Sequence, residues 1–177
     1  MPKKEIILNP VDHITVDALG KPGRRIFYIQ ASKENQKITL LIEKIQLQSL
    51  LEGINEFLDE IHNRFPDIII PEVSFQEKDM QIQPPVDPSF RAGDMGLAYN
   101  EIHDLACIFV REAQFSEEEG RVVRFWCSRA QIIAVAHWGA VVVQRGRPIC
   151  PQCGQPMDPE GHFCPKKNGH KHGKKHP

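Results

Sequence analysis

No apolar run among the 177 residues approaches the ~20 that a membrane-spanning helix requires. The opening MPKKEIILNPVDH carries two lysines, but its apolar stretch of three residues is too short for a secretory signal. A dominant charge is also missing. The 22 Lys+Arg stand against 23 Asp+Glu, a net charge of −1, so the body is no obvious nucleic-acid or membrane-surface binder. The chain contains no phosphate loop, no G-x-S-x-G elbow, no H-E-x-x-H and no Rossmann fingerprint. Gly20, Lys21 and Gly23 in DALGKPGRR lack the phosphate-loop spacing and read as a hairpin turn. What remains is ordinary globular composition, 41% hydrophobic and 25% charged. The expectation is a soluble, cytoplasmic protein.

Charge is unevenly spread. From Arg145 to Pro177 there are seven Lys/Arg and two Asp/Glu, a local +5, which leaves −6 on the first 144 residues. The same segment holds His162, His170, His172 and His176, and three of the five cysteines.

The body reads as two copies of one unit. Asp12–Ala31 (DHITVDALGKPGRRIFYIQA) aligns without a gap on Asp94–Ala113 (DMGLAYNEIHDLACIFVREA). Lys37–Leu47 then matches Arg121–Ile132 with Gln46 opposite Gln131, provided the second copy has a few extra turn residues. Each copy reads strand, strand, strand, helix. In the first, alternation marks His13–Asp17, Arg25–Ala31 and Lys37–Glu43. A helix over Ile45–Phe65 follows, its apolar stripe closed by Pro66. In the second, Gly96–Tyr99, Leu105–Glu112 and Arg121–Cys127 precede a helix from Arg129 to Gln144, with Ser128 as its N-cap. That helix is apolar nearly all round and is expected to be the more buried.

Between the copies, Pro66–Arg91 holds five prolines and reads as a long extended linker, with a short strand at Ile68–Ile70. The predicted class is α+β: duplicated βββα units forming a mostly antiparallel six-stranded sheet, with two helices on one face. The successive apolar residues Leu105–Val110 suggest burial on both faces, and so a homodimer through the second face. The expected boundaries are residues 5–65 and 92–146 for the two units, 66–91 for the linker, 147–170 for a knuckle and 171–177 for a disordered basic tail.

The knuckle is the strongest chemical signal. In Cys150-Pro151-Gln152-Cys153-Gly154, a two-residue spacer lets both thiolates face one point, and the glycine lets the backbone close behind the second. His162-Phe163-Cys164-Pro165 follows. Tetrahedral Zn²⁺ needs four ligands: Cys150, Cys153 and Cys164 supply three, and either His162 or His170 the fourth. Four protein ligands would close the sphere, which makes the zinc structural. The competing readings are a Cys150–Cys153 disulfide or a redox C-x-x-C, without a secretory signal or a strand-to-helix context to support them.

Other candidates carry less. Cys107 and Cys127 lie on neighbouring predicted strands and read as buried thiols that could sit side by side. His13, His62, His103 and His137 share no ligand spacing. Glu43, Gln46 and Gln131 could line a pocket at the strand-to-helix junctions, though helix-start polarity explains them as well. Arg24, Arg25, Arg121 and Arg124 read as solvated turn charges beside Glu117–Glu119.

The segments LLIEKIQLQSLL, GDMGLAYN and CPQCGQPMDPEGHFCPKKNG, with the Gln131 helix, resemble an uncharacterised bacterial domain-of-unknown-function family of conserved repeat proteins. The likeness runs through Gly169 and is most specific over C-P-x-C-G-x-P-x-D-P-x-G-H-x-C-P. The resemblance implies no activity. Its members look to be encoded beside a histidine-phosphatase-like protein and a relative of phosphoinositide kinases. It includes a histidine at the His162 position and none at 170, and so implies His162 as the ligand. The Lys/His-rich end departs from it.

Three functions follow as expectations. The first is a non-catalytic adaptor with a protein partner or a second copy. The second is a nucleic-acid binder using the +5 segment, which has only Phe163 for stacking on bases. The third is an enzyme with a pocket between the copies.

Overall fold

The computed structural model describes residues 4–114, 120–146, 149–155, 157, 162–167 and 171–172. The elements run β1 (Glu5–Leu8), β2 (His13–Leu19), β3 (Ile26–Lys33), β4 (Gln36–Ile42), α1 (Lys44–Arg64) and the single turn α2 (Glu77–Met80). Next come β5 (Pro88–Asn100), β6 (Leu105–Glu112), β7 (Val122–Ser128) and α3 (Arg129–Arg145). Two short strands, β8 (His162–Phe163) and β9 (Lys171–His172), follow. No described helix is long and apolar enough to cross a membrane.

The sheet has seven strands in the order β1-β7-β6-β5-β4-β3-β2. The additional strand is β1, made from the short apolar stretch near the start of the chain. It pairs in parallel with β7, Glu5 opposite Val122 and Leu8 opposite Phe125. β4 and β5 are also parallel, and the other neighbours are antiparallel.

The two ends of this order are successive stretches of one run of chain. Val11 N donates to Trp126 O at 2.8 Å, still on β7, and Asp12 N donates to Ser32 O at 2.8 Å, already on β3. Pro10 lacks an N–H and interrupts the ladder where the run changes partner. β5 does the same, pairing with β4 through Phe90 and Arg91 and with β6 from Ala92 onward. The sheet therefore closes on itself with two corners, each made by a strand that passes from one neighbour to the other. An open sheet with one free face, expected from the strand pattern, is replaced by a ring.

The first strand of each strand–strand–strand–helix run pairs with the third strand of the other. Glu5 opposite Val122 has its counterpart in Pro88 opposite Thr39. The gapless alignment of Asp12–Ala31 on Asp94–Ala113 does not survive this register. It would carry the pair Val16–Ile29 onto Ala98–Arg111, whereas Ala98 pairs with Cys107. The first hairpin turn, residues 20–25, is longer than the second, residues 101–104.

Both helices pack on the inner side of the sheet. Leu47, Leu50, Leu51 and Ile54 of α1 join Ile132, Val135, Trp138 and Val142 of α3 over Val16, Ile29, Leu40, Ile108 and Phe125. At Gly139 a Cβ would lie 2.5 Å from Leu51 Cδ2 and 3.1 Å from Val16 Cγ2, so a larger residue there requires Leu51 to move from where α1, α3 and β2 meet. The inner face of β6 is buried, and its outer face is half-buried around Cys107. Ala106, Ile108 and Val110 face the core, while Cys107 lies between Ala98 and Trp126 on the other side.

The connection between the two runs covers the outer face of β2–β4. Thr15, Gln30 and Thr39 are buried there at 0–2% exposure. Thr15 Oγ1 donates to Met80 O at 2.5 Å, Gln83 N to Gln30 Oε1 at 2.8 Å, and Gln30 Nε2 to Gln83 O at 2.9 Å and to Thr39 Oγ1 at 3.0 Å. Buried polar groups must be paired, and extended backbone supplies the partners. The expected strand at Ile68–Ile70 does not form, and Ile69 and Ile70 stay exposed.

Gln46 and Gln131 hold the same position, the third residue of their helices. Glu43 N donates to Gln46 Oε1 at 2.7 Å and Ser128 N to Gln131 Oε1 at 2.9 Å, while Gln131 N donates to Ser128 Oγ at 3.1 Å. Each amide then reaches the start of the other run. Gln46 Nε2 donates to Ala92 O and Gly93 O, and Gln131 Nε2 to Val11 O and Asp12 O. Gln131→Ala keeps the Ser128 cap but removes the side-chain half of the capping box and both bonds to the other run, and is expected to cost about 1–2 kcal/mol in urea unfolding. Gln46→Ala should match it.

Arg121 is not a free turn charge. Its Nε and Nη2 clamp the Glu112 carboxylate at 2.9 and 2.8 Å, and Nη2 also donates to Ser89 O at 2.7 Å. Arg124 pairs with Glu5 and lies over Phe109, while Arg25 turns inward. Glu117–Glu119 lie outside the described residues. The Arg121 hydrogen bonds hold the Glu112 carboxyl at about 2, against an ordinary 4.5. The clamp thus stabilises the fold in full above the ordinary value, and this contribution fades as pH falls toward the folded one. Glu112→Gln is expected to be about 1 kcal/mol less stable than wild type at neutral pH, with the difference shrinking below about pH 4.5.

Candidate metal centre

Beyond α3, Cys150 opens a tight turn. Gly154 N donates to Cys150 O at 2.9 Å and Cys150 N to Gln155 O at 2.8 Å. Gly154 sits at φ +72°, a conformation that favours glycine and folds the chain back behind Cys153. The other half is the pairing of β8 with β9, which places His162 on a strand with Cys164 just beyond it, before the 3₁₀ turn Pro165–Lys167. Lys171 and His172, at the start of the expected tail, thus belong to a strand pair.

These two pieces bring the ligand atoms of Cys150, Cys153, His162 and Cys164 within 4.8 Å of one another. Cys150 Sγ and Cys164 Sγ are 4.0 Å apart, and Cys153 Sγ is 3.2 Å from His162 Nε2. A tetrahedral site with metal–sulfur bonds of ~2.3 Å has ligand–ligand edges of roughly 3.8 Å, so the donor set fits a metal ion. All five cysteines are free thiols, and 4.0 Å between sulfurs is far beyond the ~2.05 Å of a disulfide. Cys150 and Cys164 are buried at 1% and 0% exposure, and Cys153 and His162 are partly covered. The alternative ligand His170 lies outside the described residues, as do residues 173–177.

Desolvation opposes ionisation of Cys150, but the backbone N–H groups of Cys153 and Gln152, with the neighbouring thiols, outweigh it and hold its pKa below the ordinary thiol value. At Cys153 the Gln155 backbone favours the thiolate, yet burial and the Cys150 and Cys164 sulfurs prevail and push it up. Thiols that repel one another's charge in this way are relieved by a cation.

The remaining candidates do not join the cluster. Cys107 and Cys127 are on adjacent strands, but the register sets Cys107 opposite Trp126 and Ala106 opposite Cys127, so the two thiols point to opposite faces. His13 Nε2 contacts Asp79 O at 2.6 Å, a structural bond to α2. Gln46 borders a cavity of about 470 Å³, but its amide is spent on backbone groups, and Glu43 pairs with Arg91. The buried row Thr15, Gln30 and Thr39 escaped the sequence reading, because only strand register puts them on one face.

Burial raises Cys107 to about 11 and Cys127 to about 12. In native, reduced, chelator-treated protein at pH 8, a thiol reagent is expected to modify the partly covered Cys153 first, and Cys150 and Cys164 as the knuckle opens locally. Cys107 and Cys127 should react about 100-fold more slowly, until the fold opens. Mass mapping of the labelled cysteines checks this.

No curated protein and no solved structure is significantly similar to the chain. A family model does match, over residues 7–164, a span that starts within β1 and ends on the fourth candidate ligand, Cys164. With β2 to β7, the helices and all four clustered candidate ligands inside that span, the chain belongs to the family described as Protein of unknown function (DUF3090).

Proposed function

We propose that the chain is a non-catalytic protein-interaction module whose C-terminal knuckle is held by a structural Zn²⁺. One observation carries the reading: four protein donors, three thiols and an imidazole, converge within 4.8 Å. Such a set fills a tetrahedral sphere and leaves no position for water or substrate. Soft thiolates with one imidazole favour zinc over hard cations such as magnesium or calcium. The interaction role draws support from Ile149 and Phe163, which flank the ligands in sequence and are exposed at 55% and 63%. Apolar side chains displayed on a rigid knuckle suit a protein partner.

The two strand–strand–strand–helix runs are, on this reading, copies of one unit. Their reciprocal parallel pairing and the matched roles of Gln46 and Gln131 support it. The nucleic-acid alternative rests on the local +5 charge and on Phe163. It calls for oligonucleotide binding that weakens steeply with salt.

Metal analysis of freshly purified protein is expected to give one zinc per chain in wild type and a loss of zinc in Cys150→Ser. A metal-free wild type whose Cys150 and Cys153 cycle with a disulfide reductant would overturn the structural site.

A further inference from the structure

Between the β2–β3 hairpin and the last turns of α3 lies a cavity of about 260 Å³, bordered by Asp17, Arg25, Ile82, Trp138, Val142 and Arg145 among others. None of the metal-site cysteines borders it. Two of these residues carry a buried donor with no acceptor: Trp138 at Nε1 and Arg25 at Nη2. Trp138 is only 1% exposed. An indole N–H and a guanidinium donate and never accept, so both lack the same thing, an oxygen lone pair.

The surrounding chain does not supply it. Asp17 is the acidic group on the cavity; its oxygens accept from backbone, Oδ1 from Ala18 N at 2.8 Å and Oδ2 from Ile82 N at 2.7 Å, and neither bonds Arg25 Nη2 or Trp138 Nε1. Val142 O already accepts from Arg25 Nη1 at 2.8 Å. Arg25 lies over the Phe27 ring at 4.8 Å, which fixes its guanidinium plane. Arg145 lies over the Trp138 ring at 5.1 Å and is tethered to Glu77 at 2.7 Å.

We propose that this cavity binds an oxyanion, the phosphate or carboxylate group of a small molecule, with Trp138 Nε1 and Arg25 Nη2 as donors and Arg145 closing the rim. Arg25 and Arg145 are balanced by Asp17 and Glu77, so the cavity draws a negative guest through its two unpartnered donors rather than through net charge. The volume exceeds a single water's ~30 Å³ share several times and suits such a group. Burial, partly opposed by Asp17, depresses the Arg25 pKa, as it does for a cation short of a counter-ion. Arg25 and Trp138 are far apart in sequence, and no motif links them.

The chain has two tryptophans, Trp126 and Trp138, so nitrogen-edited spectra of the whole 177-residue protein show two indole N–H signals. Inorganic phosphate and acetate are titrated separately at constant ionic strength set with sodium chloride. The Trp138 signal is expected to shift saturably, half-complete below about 10 mM, while Trp126 stays put and reports an intact fold. A response to phosphate alone assigns a phosphoryl group, and one to acetate alone a carboxylate. Arg25→Gln should weaken the response at least about tenfold. Arg145→Gln, a change at a half-exposed rim, keeps the test valid if Arg25→Gln does not fold, and should weaken it by about threefold. A Trp138 signal unmoved by either ion, or moved equally by chloride, overturns the proposal. So does a response that neither variant weakens.

Discussion

The parallel pairing of Glu5–Leu8 with β7 is the contact on which the rest of the architecture depends. It turns a succession of two three-stranded meanders into a ring, because the same run continues after Pro10 as β2 on the opposite end. Strand edges left open would present unpaired N–H and C=O groups to any passing chain. The change of partner leaves only β1 and β2 at the ends of the strand order and commits the inner side of the sheet to one core. Both helices fill that core, and Gly139 marks where they and β2 come closest.

Closure also explains where the polar residues sit. Gln46 and Gln131 cap their own helices with the amide oxygen and hold the opposite run with the amide nitrogen, so each half of the ring is tied to the other at the corner where the strands change partners. Their amides are spent on backbone groups. On the outside of β2–β4 the long connection satisfies Thr15 and Gln30 with its own backbone. Proline-rich chain suits this task, since it stays extended and keeps its carbonyls available.

The thiols divide into two populations for a physical reason. Cys107 and Cys127 sit in desolvated surroundings that penalise the thiolate, and they behave as small apolar side chains. Cys150, Cys153 and Cys164 converge with His162 in a segment too short to bury a core of its own. A metal ion held there would substitute for the hydrophobic contacts that a segment of this size cannot make. The polar cavity beside Trp138 is different again: a feature of the body, built from residues of the first hairpin, the connection and α3.

Local sequence determined a good deal by itself. Alternation placed β3, β4, β6 and β7, the 3.6-residue stripe placed α1, and Ser128 marked the start of α3, because each depends on residues near one another in the chain. The four ligands were legible for the same reason, since Cys150–Cys153 and His162–Cys164 are short-range spacings that a tight turn and a strand pair suffice to present. What tertiary structure decided was whatever depends on distant partners. Ile6–Leu8 looked like a minor apolar stretch until β7 gave it a partner. The gapless repeat alignment failed because turn length, invisible to composition, sets the register. Arg25 read as a turn charge but is drawn inward by Val142 O and the Phe27 ring. Strand closure and buried donors are properties of contacts between residues far apart in sequence, and no local pattern encodes them.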